Sequence, residues 1–152
     1  MGYNGRKTIM KKTIKTLCSC LVVGLFVLMA FGCASVQGWH RGQADWMRVQ
    51  IHENFDYNKA FTTALDVLTE KYEMEMINKD GGYARTAWNY YRRTNGAFDD
   101  KARVRITLKF NHDRTQLSVK TEVQRLINHM WVDGYSDILG RQTRDDIQGV
   151  LQ

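Results

Sequence analysis

Hydrophobic and polar positions change rhythm several times along the 152 residues. Leu21 to Cys33, LVVGLFVLMAFGC, is an uncharged apolar run that stops at a glycine and a cysteine. Ala34 to Asp45, which includes Trp39 and His40, is polar and glycine-bearing without helical or strand periodicity, and predicts a tether. Met47, Val49 and Ile51 then alternate with Arg48, Gln50 and His52, the period of a half-buried strand. Asp56 is placed to cap a helix from Tyr57 to about Lys71, on which Ala60, Phe61, Ala64, Leu65 and Leu68 share one side.

From Tyr72 to Lys79 the period returns to two, with Tyr72, Met74 and Met76 on one face and Glu73 and Glu75 on the other. Asp80-Gly81-Gly82 predicts a tight hairpin, and the next strand, Tyr83 to Tyr91, is expected to turn Ala84, Thr86, Trp88 and Tyr90 inward. After a loop at Thr94-Asn95-Gly96 comes the clearest alternation in the chain: Ala102, Val104, Ile106, Leu108 and Phe110 against Arg103, Arg105, Thr107 and Lys109. Asn111 to Arg114 predicts a turn, and Leu117, Val119, Thr121 and Val123 continue the inner face. Residues 127–142 keep neither period. Thr143 to Asp146 resembles a capping box, followed by a stripe of Ile147, Val150 and Leu151, so a short C-terminal helix is expected.

The chain has no proline and no repeat, and short turns favour hairpins between neighbours. The expected class is α+β: two layers, with an antiparallel sheet of four to five strands covered by a long helix and a short C-terminal helix. That fold is assigned to a single domain over 46–152.

Arg6, Lys7, Lys11, Lys12 and Lys15 precede the apolar run with no acidic residue among them, and Ala34-Ser35 follows it. Basic, apolar, then small is the order of a secretory signal. The Gly32-Cys33 ending resembles a bacterial lipoprotein signal, in which the cysteine is lipidated and becomes the first residue of the mature chain. The resemblance implies a signal peptide over 1–32, a lipid on Cys33, and a tether over 33–45. An uncleaved anchor is the alternative, because Leu17 to Val36 carries no charge and about 20 apolar residues span a bilayer. The strongly apolar part, Leu21 to Phe31, has the length of a signal core instead.

This segment changes the meaning of the charge. The whole chain has 22 Lys and Arg against 16 Asp and Glu; without the five basic residues of the signal, 17 remain against the same 16. The exported part is nearly neutral, which removes the main support for nucleic-acid binding. Cys18, Cys20 and Cys33 all fall in or at the end of the signal, so disulfides, thiolate catalysis and cysteine-held metals are excluded for the body.

Helix, strand, glycine turn and strand follow one another as Ala60-Phe61, Ala64-Leu65, Leu68, Tyr72, Asp80-Gly81-Gly82-Tyr83 and Thr86-Ala87-Trp88. This succession, from about Asn54 to Leu126, resembles the repeating module of the BamC (NlpB) lipoproteins, with room here for one module. The resemblance implies a helix-grip domain, an accessory role in outer-membrane barrel assembly, and no catalysis. Ala34 following Cys33 resembles lipoproteins passed on to the outer membrane. In a single-membrane bacterium the same signal leaves the protein on the outer face of the plasma membrane.

Candidate chemistry is sparse. His40, His52, His112 and His129 fall on different elements without the spacing of a helical zinc pair, so no metal is expected. Asp99-Asp100 and Asp145-Asp146 are adjacent carboxylates, and loop or capping roles suit them better than acid–base work. Gly81-Gly82 joins two strands with no helix after it to hold a phosphate. Neither a nucleophile elbow nor a Walker motif is present, and no cofactor is expected.

The outward positions are more suggestive. Arg85, Arg103, Arg105, Lys109 and Lys120 form a stripe across three expected strands, partly balanced by Glu122, with Tyr83 and Tyr91 beside Arg85. Such a stripe suits an acidic protein segment, lipid headgroups or an anionic glycan; an ordinary solvated face is the plainer alternative. The expectation is a non-enzymatic lipid-anchored envelope protein that binds a protein partner, in outer-membrane biogenesis or maintenance. A carrier holding an apolar ligand between helix and sheet, and a structural protein binding cell-wall glycan, are the alternatives.

Overall fold

The computed structural model describes residues 36, 38–93 and 96–152. Two units divide the chain, Met1–Ala34 and Ser35–Gln152. The expected signal peptide, Cys33, and the loop residues Thr94 and Asn95 lie outside the described residues. In chain order the elements are β1 (Trp39–Arg41), β2 (Met47–Val49), α1 (Tyr57–Thr69), β3 (Met74–Asn78), β4 (Tyr83–Thr86), β5 (Asn89–Arg92), β6 (Phe98–Phe110), β7 (Leu117–Ile127), β8 (Met130–Ser136) and α2 (Asp137–Val150).

Strands β6 and β7, the stretches of clearest alternation, pair antiparallel from Ala102 opposite Arg125 to Phe110 opposite Leu117. Their length lets two shorter strands share each free edge. Strands β4 and β5 lie along β6, while β2 and β8 lie along β7; β3 extends the sheet beyond β4 and β1 beyond β8. All these pairings are antiparallel.

This overturns the expected architecture. The sheet has eight strands, not four to five, and the fold is β-rich instead of an α+β pair of layers under a long helix. Helix α1, with 13 residues, is no longer than α2, with 14. The three further strands come from three places, the first being the expected strand Tyr83 to Tyr91, which is two strands, β4 and β5. Trp39–Arg41, read as tether, pairs with Ser136–Gly134 of β8. Residues 130–136, inside the aperiodic stretch, pair with β7 through a two-residue turn at Asn128 and His129, both with positive φ (50° and 62°). That is the backbone of a type I′ hairpin, made here without the glycine that usually signals it.

Helix α2 also begins earlier than the pattern implied. Ser136 is its N-cap, its hydroxyl accepting from the Leu139 N–H at 3.2 Å. Thr143 is therefore inside the helix, and its Oγ1 donates back to the Leu139 carbonyl at 2.8 Å, so it caps nothing. Gly134 and Gly140, which broke the period, are sites of close approach. A Cβ on Gly134 would run into the His40 carbonyl and the Trp39 indole, and one on Gly140 would stand 2.9 Å from Met47 Cε. Helix α1 follows expectation: the Asp56 carboxylate accepts from Lys59 N–H at 2.8 Å.

One hydrophobic core results. Ala60, Phe61, Ala64 and Leu68 of α1 and Ile147 of α2 meet Val104, Ile106, Leu108, Phe110, Leu117, Val119 and Val123 from the inner face of the sheet. Phe61 and Phe110 pack with ring centroids 6.0 Å apart. Among the described residues this core runs from Val36 to Leu151, within the unit Ser35–Gln152. Among the described residues no helix is long and apolar enough to cross a membrane.

Candidate binding face

Alternation along β6 and β7 sends every second residue to the side of the sheet away from the core. Register then decides which cations meet. Arg103 lies opposite Gln124 and Arg105 opposite Glu122, with Thr107 opposite Lys120 and Lys109 opposite Ser118. Tyr83 is opposite Lys109 and Arg85 opposite Thr107. Arg85, Arg103, Arg105, Lys109, Lys120 and Tyr83 therefore share one face, as the pattern predicted.

Tyr91 does not join them. Two outward residues on one strand should be an even number of positions apart, yet Arg85 and Tyr90 both face outward, Tyr90 standing opposite Arg103. The phase inverts at Ala87 and Trp88, which leave the ladder between β4 and β5. Across this gap the Ile106 N–H donates to the buried hydroxyl of Thr86 at 3.0 Å. The inversion carries Tyr91 inward against the core. It carries Trp88 and Tyr90, both expected in the core, to the outside, where Tyr90 is 55% exposed.

Trp88 reshapes the stripe. Its ring lies 4.5 Å from the Arg105 guanidinium carbon and 5.1 Å from that of Arg103. Trp131, outward on β8 opposite Leu126, takes the other flank of Arg103 at 4.2 Å. Trp46 lies 5.7 Å from the Lys120 ammonium. Cation–π contacts of this kind are worth about 0.5–2 kcal/mol each, more as they lose water. Trp46 and Trp131 carry no role in the sequence pattern, the first standing just after the expected tether and the second in the aperiodic stretch.

Hydrogen bonds hold the array in place. Arg103 Nε donates to Gln124 Oε1 at 2.6 Å, and Gln124 Nε2 donates to Asp133 Oδ1 at 2.6 Å. Glu122 takes both Arg105 at 3.2 Å and Lys120 at 3.4 Å, and Arg85 pairs with Glu75 at 3.1 Å. Three of the five predicted cations are thus paired, two of them sharing the one carboxylate of Glu122. Among the described residues, Arg103 and Lys109 have no carboxylate within 4.0 Å.

The remaining candidates are dispersed. His52 Nδ1 accepts from the Asn54 N–H at 3.2 Å, and the His40 ring packs 5.5 Å from that of Tyr135. Asp99 is buried and paired with Arg93 at 3.2 Å, and Asp145 is paired with Arg144. Among the described residues no group of three or more His, Cys, Asp or Glu is placed to hold a metal.

A cleft of about 890 Å³ opens beside β5, between the end of α1 and α2. Tyr72, Tyr91 and Leu139 give it apolar walls, while Glu70, Glu73 and Arg92 make the lining mixed. Lys71 and Asp146 pair within it at 2.9 Å. The hydrogen bond that Lys71 donates to Asp146 raises the Lys71 pKa, and burial raises that of Tyr72, which keeps the phenol neutral. Compared with known families and with curated proteins, the chain matches no family model and no curated sequence.

Proposed function

We propose that this is a lipid-anchored envelope protein whose Ser35–Gln152 domain binds a protein partner through the outer face of its sheet, in outer-membrane biogenesis or maintenance. In this reading a lipid on Cys33 holds the chain to the periplasmic face of the outer membrane, and no catalytic step is assigned. The observation that carries it is Arg103, flanked by the rings of Trp88 and Trp131 with no carboxylate of its own among the described residues. Tryptophan and arginine in a half-buried cluster are the residue types that dominate binding energy at protein interfaces. The glycan alternative draws less support, because the Trp88 and Trp131 rings already stack on guanidinium groups that a sugar would have to displace.

The test has two parts. Cys33→Ser should abolish incorporation of labelled palmitate; unchanged labelling overturns the anchor. The chain from Ser35, used as bait against solubilised envelope, should enrich a protein that the double variant Arg103→Glu/Arg105→Glu no longer retains. Both baits should melt cooperatively, so that lost capture is not lost folding. Retention by the double variant, or co-purification of lipid or glycan with no protein enriched, defeats the docking reading.

A further inference from the structure

We infer that the occupant of this face is an extended acidic segment of a protein, lying along β6 with two carboxylates about six residues apart, one seated on Arg103 and the other on Lys109. The inference rests on the docking reading above and narrows the partner's chemistry.

It follows from which charges are still free. Arg85 is paired with Glu75, Arg105 and Lys120 share Glu122, and their side chains are only 26%, 23% and 24% exposed. A membrane surface attracts many exposed basic groups together, and this face offers few. Exposed Arg48 of β2, opposite Ser118, also has no carboxylate within 4.0 Å among the described residues, but along β6 itself the free points are two. Arg103 is fixed by its Nε bond to Gln124 and by two indole rings, which leaves the far edge of the guanidinium as its remaining donor set. A guanidinium held in one orientation favours a planar carboxylate, taken through two parallel N–H bonds. Lys109 is exposed and stands between Tyr83 and Ser118.

Both residues belong to β6 and face the same way, six positions and roughly 20 Å apart. An extended peptide has nearly the same rise, and only even spacings bring two of its side chains to one face. Carboxylates six apart therefore reach both cations, and carboxylates five apart reach only one. Between the two points stand Arg105, already paired with Glu122, and Thr107. Neither calls for a further charge.

Three short fluorescent peptides of equal length test this by anisotropy with the chain from Ser35. One carries glutamates six apart, one carries them five apart, and one has glutamines in their place. The six-apart peptide should bind tightest and weaken as salt rises. Arg103→Gln should weaken it about tenfold and Lys109→Gln about threefold, removing its advantage over the five-apart peptide. Equal binding of the glutamine peptide, or of the five-apart peptide, overturns the inference. So does binding to anionic phosphatidylglycerol vesicles that depends on Arg103 while the peptides do not bind.

Competition separates this inference from the reading beneath it. If the partner is captured and the double reversal releases it, but the six-apart peptide does not compete, the face docks a protein and the acidic occupant is wrong. If the peptide binds as described and no partner is captured, the docking role is wrong and the preference for an extended acid stands.

Discussion

Strand β6 divides its side chains between two environments. On one side Val104, Ile106, Leu108 and Phe110 are 0–3% exposed and pack under both helices. On the other, Arg103 and Arg105 are half-buried in a lattice of Trp88, Trp131, Gln124 and Glu122. The inner face gains stability from removing apolar surface from water, about 25 cal/mol per Å². On the outer face the guanidinium groups lose part of their hydration and recover it through stacking and paired hydrogen bonds, so the net gain is small. The same strand thus has one side that holds the fold and one side whose chemistry is only partly satisfied by the fold. That residual demand, along β6 at Arg103 and Lys109, is the ground on which a partner is proposed for the outer side.

The largest effect is expected on the inner face. Ile106→Ala removes a fully buried side chain from the middle of the core and should cost about 2–5 kcal/mol in urea unfolding. A loss below about 1 kcal/mol would mean that the inner face is not what holds the sheet. On the outer side, Arg103→Met keeps an apolar stem between the two indoles while deleting the cation, and should change stability by no more than about 1 kcal/mol. A loss as large as that of Ile106→Ala would make the lattice part of the fold's support, and would leave binding a secondary role.

The smallest effect is expected at the periphery. The Lys71 pKa is raised above its ordinary 10.5 by the hydrogen bond it donates to Asp146, and that of Tyr72 above 10.0 by burial. Groups whose folded pKa is raised contribute stability that is complete below the unfolded value and lost as pH climbs through the folded one. Stability should therefore decline above about pH 10, and Lys71→Met should remove part of that decline. Because the pair is 51% and 41% exposed at its side chains, the contribution stays below about 1 kcal/mol. A melting temperature independent of pH between 9 and about 11 would contradict the assignment.

Much of the inner face was legible in the sequence because burial writes itself as period. Helix α1 with its Asp56 cap, and the alternation over 102–110 and 117–123, match the structure, although β6 begins four residues before the alternation does, at Phe98. The outer cations of those strands followed from the same arithmetic. Strands β1 and β8 were missed for a physical reason. The inward positions of β8 include Gly134 and Ser136, small residues chosen by the nearness of Trp39 and the start of α2, so no apolar rhythm survives. The capping box at Thr143 failed because Ser136, one strand end earlier, already caps the helix.

By itself the sequence determined the apolar segment ending at Cys33, the neutral and thiol-free body behind it, one helix, and the faces of the two central strands. These depend on local order and on the period of a single element. Only the tertiary structure decided the eight-stranded sheet, the inversion at Ala87-Trp88 that exchanges Tyr91 for Trp88 on the outer face, and the pairing that leaves Arg103 and Lys109 without acids. Which charge is neutralised, and which ring covers it, depends on the register between strands distant in sequence. No periodicity within one strand records it.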